Sequence, residues 1–206
     1  MERRAFVKRI RDELAGGDPD GSTCEARPCV APAAPLYGRS VEELQTVFLA
    51  RQEELGVEAT AVATRRQAQT AVGQLLDERP WSLVCSPDLS WPSIEERRTE
   101  HTAAADFGLV QARWAIAESG TIAVDTADGE HRATSLLPPA VGFFLPLSRL
   151  VPRLGDLLEK LVETRDSLPA CITMITGPSA SADIVGVRVV GVHGPGEVHV
   201  WLIEDE

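Results

Sequence analysis

The spacing of hydrophobic residues between positions 40 and 85 predicts helices that alternate with strands. Ser40 and Glu43 have the spacing of a capping box, and the apolar residues that follow lie on one helical stripe. Gly56 marks the end of this helix, because glycine readily takes the left-handed conformation that closes a helix. The segment 57–63 is rich in Val, Ala and Thr and predicts a strand.

The same pattern occurs once more along the chain. Thr64 and Gln67 have the spacing of a cap for a second helix, whose apolar residues keep the period of a buried face. Residues 81–85 are a short apolar segment that predicts another strand. Strands that alternate with helices usually pair in parallel. The fold class we expect is therefore α/β, with a mainly parallel sheet and helices on both faces.

From Gly108 onwards the hydrophobic period changes to two, which is typical of strands. Four residues of this run are expected to point to one side: Val110, Ala112, Trp114 and Ile116. Gly120 interrupts the alternation, and residues 121–124 resume it. The run predicts an antiparallel or edge element that is added to the parallel sheet.

The rest of the pattern predicts a turn at Asp128-Gly129, one further helix and five strands. Ser148 is the expected cap of the helix, which carries Leu and Val residues from Leu150 to Val162. The strands are expected at 133–137, 141–145, 171–176, 187–192 and 198–203.

The first 39 residues have a different character from the rest of the chain. Residues 3–14 are basic and amphipathic, which predicts a short helix that packs on its own domain or docks on a partner. Residues 16–39 are rich in Gly, Pro, Ser and Ala, as in a linker or a long irregular loop. We therefore divide the chain into an N-terminal helix with its linker, 1–39, and an α/β domain, 40–206.

Net charge and hydropathy narrow the classes of function. The 206 residues carry a formal net charge of -11, which argues against a protein that binds nucleic acid. An anionic small ligand is still compatible, because backbone amides in loops and at helix N-termini bind anions without basic side chains. No apolar run has the length of a membrane span, and the N-terminus lacks the apolar core of a secretory signal. We therefore expect no membrane insertion.

The four cysteines bear on the compartment and on metal binding. Cys85 and Cys171 lie in apolar runs where we expect buried thiols, and Cys24 and Cys29 share one loop. This pattern is typical of a reduced, cytoplasmic protein rather than of a disulfide framework. Cys24 and Cys29 could ligate a metal, but no His or second cysteine pair is near them in the sequence. The expectation is that the chain has no metal site.

Three glycine-rich turns follow apolar strands and hold the candidate chemistry, because open α/β sheets bind ligands at strand ends. The first turn contains Glu118, Gly120 and Thr121. Glu118 could serve as a nucleophile, a general base or an acceptor that anchors a ligand. The alternative is that Glu118 caps neighbouring amides and that Gly120 serves only the turn.

The second turn spans 176–183 and contains Gly177, Pro178, Ser179 and Asp183. A strand that leads through Gly and Ser to a helix start can hold an anion on its backbone amides, and an ordinary serine N-cap is the alternative.

The third turn places His193 between glycines, next to Gly194. Its imidazole could bind a carboxylate or a phosphate or transfer a proton, or it could simply bond loop carbonyls. We expect the three turns to converge on one cleft.

Five short motifs, in this order, resemble those of a known family: Ala105–Gly108, Ile116–Thr121, Ser135–Pro139, Ile175–Ser179 with Ala182–Ile184, and Gly191–Pro195. Residues 104–203 are similar to the LUD domain of bacterial lactate utilization proteins, most of all the lactate utilization protein C group. The resemblance adds Asp106 to the ligand-binding candidates, beside Gly120, Thr121, Gly177, Pro178, Ser179, Asp183 and Gly194.

The resemblance implies a fold like that of the sugar-phosphate isomerases and CoA transferases. It also implies a role with iron–sulfur partner subunits in the oxidation of L-lactate to pyruvate. The cysteine-rich motifs of those partners are absent from this sequence, so the chain is expected to hold no cofactor and to be an accessory, non-redox subunit. The alternative is a free-standing enzyme for a phosphosugar or a thioester, with Glu118 and His193 as its catalytic residues, by analogy of fold.

Overall fold

The computed structural model describes residues 36, 38–126, 132–163, 169–181 and 189–205. Five predictions fall wholly or almost wholly outside these residues: the helix at 3–14, the linker at 16–39, the cysteines 24 and 29, the turn at 128–129, and the candidate Asp183.

Helices and strands alternate along the first half of the described chain. The helices are α1 (Val41–Leu55), α2 (Arg65–Glu78), α3 (Pro92–Glu95), α4 (Arg132–Leu136) and α5 (Leu154–Glu163), with 3₁₀ turns at Thr102–Ala104 and Leu147–Arg149. The strands are β1 (Glu58–Thr64), β2 (Leu83–Cys85), β3 (Phe107–Gln111), β4 (Trp114–Ile116), β5 (Thr121–Asp125), β6 (Ala140–Pro146), β7 (Leu150–Val151), β8 (Ile172–Ile175), β9 (Ala180–Ser181), β10 (Val189–Val190) and β11 (Glu197–Asp205).

Five parallel strands form the main sheet, in the order β1–β11–β6–β3–β2. Alternate residues of β6 face opposite sides of this sheet. Phe143 packs in the cluster that contains Phe48 of α1, and Phe144 packs in the cluster that contains Val72 of α2. Helices therefore cover both faces of a parallel sheet, and the predicted α/β class is confirmed.

The capping residues predicted from the sequence begin the first two helices and end the first one. The Ser40 hydroxyl accepts a hydrogen bond from the Glu43 N–H, and the Glu43 carboxylate accepts one from the Ser40 N–H. Gly56 ends α1 with a φ of 74°. Thr64 caps α2 by accepting a hydrogen bond from the Gln67 N–H at 3.3 Å. These caps satisfy backbone groups that a helix end leaves unpaired.

A second sheet contains four strands in the order β7–β4–β5–β8. β5 is antiparallel to both β4 and β8, whereas β7 runs parallel to β4. β9 and β10 form a separate antiparallel pair. Ala115 of β4 and Ile122 of β5 pack in the same cluster as Phe48, so the second sheet lies on the α1 side of the main sheet. The antiparallel element predicted from the period-two run is confirmed.

The predicted direction of the side chains between Val110 and Ile116 is wrong in its second half. β3 ends at Gln111, and the chain then bends into the second sheet, where the Arg113 N–H donates to the Ala123 carbonyl. The bend shifts the alternation by one residue. Ala115 therefore shares a cluster with Val110, and Trp114 and Ile116 pack elsewhere.

The strand predicted at 133–137 is also wrong, because this segment forms the helix α4. The Leu137 N–H donates to the Ala133 carbonyl at 3.0 Å, as in a helical turn. α4 packs directly against β3 at Gly108, where a Cβ atom would clash with the Thr134 carbonyl oxygen. Because Gly108 has no side chain, α4 packs closely on β3 at this residue, and this packing outweighs the local sequence pattern.

The helix predicted from Ser148 begins at Leu154 instead. The preceding residues Leu150 and Val151 form β7 and pair with β4, so they are not available to a helix. The carboxylate of Asp156 accepts a hydrogen bond from the Arg153 N–H at 2.9 Å and supplies the cap.

The strand predicted at 141–145 is confirmed as β6, and the closing strands occur as β8, β10 and β11. Cys85 and Cys171 are half-buried rather than buried, and neither forms a disulfide.

Candidate functional site

A cavity of about 460 Å³ lies where the loop after β8 meets the loop before β11. The Ser179 N–H donates to the Pro195 carbonyl at 2.8 Å, and the Gly191 N–H donates to the Ser179 carbonyl at the same distance. These backbone hydrogen bonds hold together two loops that are distant in the sequence. Both loops are glycine-rich turns that the sequence singles out.

Five of the predicted site residues line this cavity: Gly177, Pro178, Ser179, His193 and Gly194. The His193 side chain is exposed, and its ring makes no hydrogen bond to another described residue. The imidazole is therefore available to a ligand in the cavity. Ser135, Thr173 and Thr176 add further hydroxyl groups to the lining.

The turn at 118–121 lies next to the cavity but does not line it. Thr121 is buried, and its hydroxyl lies 2.8 Å from the hydroxyl of Thr176, which does line the cavity. The Ser119 hydroxyl lies 2.7 Å from the same Thr121 hydroxyl. The side chain of Glu118 is exposed and is not part of the lining. Two of the three turns therefore meet at the cavity. The third turn reaches it only through the hydrogen bond between Thr121 and Thr176, and the Glu118 side chain lies outside the cavity.

The turn at 118–121 and the loop after β8 both press against the end of α1. Gly120 and Gly177 have φ values of 67° and 69°, a conformation that other residues adopt with strain. A Cβ atom on Gly120 would lie 3.0 Å from the side chain of Leu55, and one on Gly177 would lie 3.1 Å from it. Both glycines are thus needed for conformation and for close packing on α1.

Two residues of α1 that the sequence analysis missed hold the turn in place. The Arg51 guanidinium donates to the Glu118 carbonyl at 3.1 Å, and the Gln52 amide donates to the Gly120 carbonyl at 2.8 Å. Gln52 is fully buried. A signal for it exists in the sequence, because this glutamine lies four residues after Phe48 on the apolar stripe of α1, where a polar residue needs a buried partner.

Asp106, the remaining described candidate, has a structural role away from the cavity. Its carboxylate accepts hydrogen bonds from the Ser82 N–H and the Ser82 hydroxyl, at 2.9 and 2.8 Å. These bonds join the segment before β2 to the start of β3. Asp106 is absent from the cavity lining.

A second polar cluster, also missed from the sequence, lies at the amino ends of β1 and β11. The buried imidazole of His199 contacts the Glu58 and Glu197 carboxylates, at 3.1 and 2.8 Å, and Arg79 pairs with Glu197. Partial burial acts to raise the pKa of Glu197, but hydrogen bonds from His199 and Arg79 and their positive charge outweigh it and lower this pKa. A smaller cavity of about 230 Å³ borders Glu58 and His199.

Within the part of the chain that the structure describes, no group of three or more His, Cys, Asp or Glu residues could hold a metal ion. Across those same residues, no helix combines the length and the apolar character needed to cross a bilayer.

The described part of the chain is an α/β protein in which a cavity borders strands of both the parallel main sheet and the second sheet. The family model of the LUD domain matches residues 84–203, and the chain belongs to the LUD-domain family. The predicted resemblance is confirmed, and the match begins earlier than residue 104. It therefore includes part of the main sheet that precedes the five motifs.

Several bacterial relatives are similar to this chain. Lactate utilization protein C of Halalkalibacterium halodurans is 40% identical over 119 residues, which is 56% of this chain and 52% of that protein. The same-named protein of Bacillus subtilis is 33% identical over 131 residues, 62% of this chain and 55% of that one. The uncharacterized protein YkgG of Escherichia coli is 32% identical over 157 residues, 74% of this chain and 66% of that one. The chain thus spans roughly half to two thirds of the length of these relatives.

A solved structure supports the fold. The crystal structure of a DUF162 family protein from Deinococcus radiodurans matches with a TM-score of 0.61 at 24% identity. The match covers 80% of this chain and 99% of that chain.

Proposed function

We propose that this chain is an accessory, non-redox subunit of a bacterial system that oxidises L-lactate to pyruvate, and that its cavity binds a small organic anion. The names of the lactate utilization relatives and the shared LUD domain support the pathway. Electrons would pass through the iron–sulfur clusters of partner subunits, and this chain would supply ligand binding and a docking surface.

The cavity between the two glycine-rich loops is the observation that carries this proposal. The loops at 176–179 and 193–195 belong to motifs of the family and are held together by the hydrogen bond between Ser179 and Pro195. They bring hydroxyl groups, backbone amides and one imidazole to the same space. Such groups bind a small anion without a cluster of basic side chains.

The alternative of an enzyme that uses Glu118 and His193 as a pair receives no support from the geometry. A nucleophile and a base act together within hydrogen-bond distance. His193 lines the cavity, whereas Glu118 does not. We therefore retain the accessory subunit as the proposal.

Growth on L-lactate tests the proposal in a host from which the native gene has been removed. We expect the wild-type chain to restore growth, and the double variant Ser179→Ala/His193→Ala to restore little of it. The matched control is His101→Ala, because His101 is also an exposed histidine but lies outside the cavity. Equal growth of the double variant and the control, with equal protein levels, would overturn a functional role of the cavity.

Capture of partner proteins tests the docking role separately. The basic segment 3–14 contrasts with the net charge of -11, so we expect it to bind an acidic surface on a partner. Removal of residues 1–15 should weaken partner capture, and the loss should shrink as salt screens the charges. Capture that is unchanged by the truncation at low and at high salt would contradict the docking role of this segment.

A further inference from the structure

The cavity is connected to the turn at 118–121 by a chain of three hydroxyl groups. The hydroxyls of Ser119 and Thr121 lie 2.7 Å apart, and those of Thr121 and Thr176 lie 2.8 Å apart. Thr121 is buried, with 7% of its surface exposed, whereas Thr176 is exposed and lines the cavity. The chain therefore runs from the surface turn through a buried hydroxyl to the wall of the cavity.

The number of hydrogens in this chain limits what it can present to a ligand. Each hydroxyl carries one O–H donor, so the two hydrogen bonds of the chain use two hydrogens and one remains. If donation runs from Ser119 through Thr121 to Thr176, the remaining donor is that of Thr176, at the cavity. In the opposite direction Thr176 presents only lone pairs. An anion in the cavity selects the first direction, and each bond of such a chain polarises the next.

The charge of the cavity wall indicates which anion fits. Among the described residues that line it there is no Lys or Arg, and His193 is the only one with an ionisable side chain. Hydroxyl donors and a single imidazole are suited to one negative charge, and a carboxylate carries one.

The size and the apolar part of the wall indicate what the carboxylate is attached to. A volume of about 460 Å³ falls in the range of sites for drug-sized ligands, about 300–1,000 Å³. A three-carbon acid leaves most of this volume to water, since one water takes up about 30 Å³. Leu136, Val141, Met174 and Val198 add apolar residues to the lining of the same cavity. This surface is suited to an apolar group on the ligand.

We propose that Thr176, oriented by Thr121, donates a hydrogen bond to the carboxylate of an organic acid that also carries an apolar group larger than the methyl group of lactate. This inference rests on the proposed binding of an organic anion and names its chemical class. Thr176 is the residue that touches the ligand, and Thr121 is a positioning residue.

Isothermal titration of the full chain tests the class of ligand with four compounds. Phenyllactate is the carboxylate with an apolar group, L-lactate lacks that group, phenyllactamide lacks the charge, and phenyl phosphate replaces the carboxylate. We expect phenyllactate to bind at least about tenfold more tightly than each of the others. Tighter binding of phenyl phosphate than of phenyllactate would show that the site does not prefer a carboxylate. Equal binding of L-lactate and phenyllactate would show that the site does not recognise an apolar group.

Variants of the chain test the donor. Thr176→Val should weaken the binding of phenyllactate about tenfold, because a hydrogen bond to a charged group is lost, and Thr176→Ser should restore it. Thr121→Val should weaken binding by a smaller factor and should have no further effect in the Thr176→Val background. Thr70→Val is the matched control, since the Thr70 hydroxyl bonds the Arg66 carbonyl within α2. Unchanged binding in Thr176→Val would overturn the assignment.

Failure of this inference is distinguishable from failure of the proposed function. If none of the four compounds binds, the assignment of the ligand class is wrong. Growth on L-lactate and partner capture are measured without these compounds, so they test the accessory role independently.

Discussion

The main sheet and the border of the cavity differ in how fully their strands are buried. All seven residues of β6 are buried, whereas β8, which supplies part of the cavity wall, has none that is fully buried. Burial of apolar side chains is the dominant source of folding stability. The comparison indicates that the main sheet supplies more of the folding stability, whereas β8 leaves more of its surface exposed beside the cavity.

Truncation of a core side chain should give the largest difference between the two regions. Phe143 of β6 is fully buried, so Phe143→Ala should lower the free energy of unfolding by about 3–5 kcal/mol. Met174 of β8 lines the cavity and is 44% exposed, and Met174→Ala should lower the free energy of unfolding by no more than about 1 kcal/mol. Urea denaturation measures both. Similar losses in the two variants would show that the cavity border is as important to stability as the main sheet.

A methyl group added to a strand of the main sheet is expected to have the next largest effect. In Gly108→Ala the new Cβ clashes with the Thr134 carbonyl oxygen, and α4 must move, at a cost of about 2–3 kcal/mol. Gly73→Ala is the matched control, because Gly73 lies within α2 and its Cβ would be 3.8 Å from the Ser93 hydroxyl, an ordinary contact. The free energy of unfolding of this control should rise by about 0.5–1 kcal/mol, because alanine is more favourable than glycine within a helix. A neutral Gly108→Ala in thermal or urea unfolding would refute the close packing of α4.

The contact between α1 and the turn at 118–121 joins the two regions, and its loss should have a moderate effect. Gln52→Leu removes the buried hydrogen bond to the Gly120 carbonyl and should cost about 1 kcal/mol. Gln45→Leu on the same helix removes a hydrogen bond that lies at the surface. Its free energy of unfolding should stay within about 0.5 kcal/mol of the wild-type value. Equal free energies of unfolding for the two variants in urea denaturation would mean that the hydrogen bond from Gln52 does not stabilise the turn at 118–121.

The smallest expected effect is on how folding stability depends on pH, through Glu197 at the amino end of β11 in the main sheet. Because the pKa of Glu197 is lowered in the folded protein, the unfolded chain binds more protons just below the ordinary glutamate value of about 4.3. The stability that Glu197 contributes is therefore present at neutral pH and is lost as the pH falls through the lowered pKa. Glu197→Gln should be less stable than the wild type at neutral pH, and this difference should narrow in acid.

Urea denaturation from neutral pH to about pH 3 measures that difference. Glu53→Gln is the control, because Glu53 is an exposed glutamate on α1. A constant difference between Glu197→Gln and the wild type over the whole range would contradict the lowered pKa.

The elements whose ends are set by local chemistry are those that the sequence predicts well. Ser40, Gly56 and Thr64 cap helices through neighbouring backbone groups, so their effect is visible in a few residues of sequence. Errors occur where distant segments decide the conformation. The segment 133–137 is helical because it packs on Gly108, and residues 150–151 form a strand because β4 lies beside them.

The candidate site shows the same division between local and distant effects. Gly177, Ser179 and His193 stand out because polar groups next to glycine mark functional turns, and all three line the cavity. The importance of Thr176 and Gln52 arises from contacts with residues 55 and 68 positions away in the sequence. The period of α1 marks Gln52 as a polar residue on an apolar stripe, but no period or motif of a single sequence identifies its distant partner.

Hydrogen exchange of the full chain, with and without phenyllactate, tests most directly that the cavity between the two glycine-rich loops is the ligand site. We expect slower amide exchange at 173–180 and 193–198, the segments that border this cavity, and unchanged exchange at 58–60 and 74–78, which border the smaller one. Slower exchange at 58–60 and 74–78 alone, or no change in either region, would contradict the account.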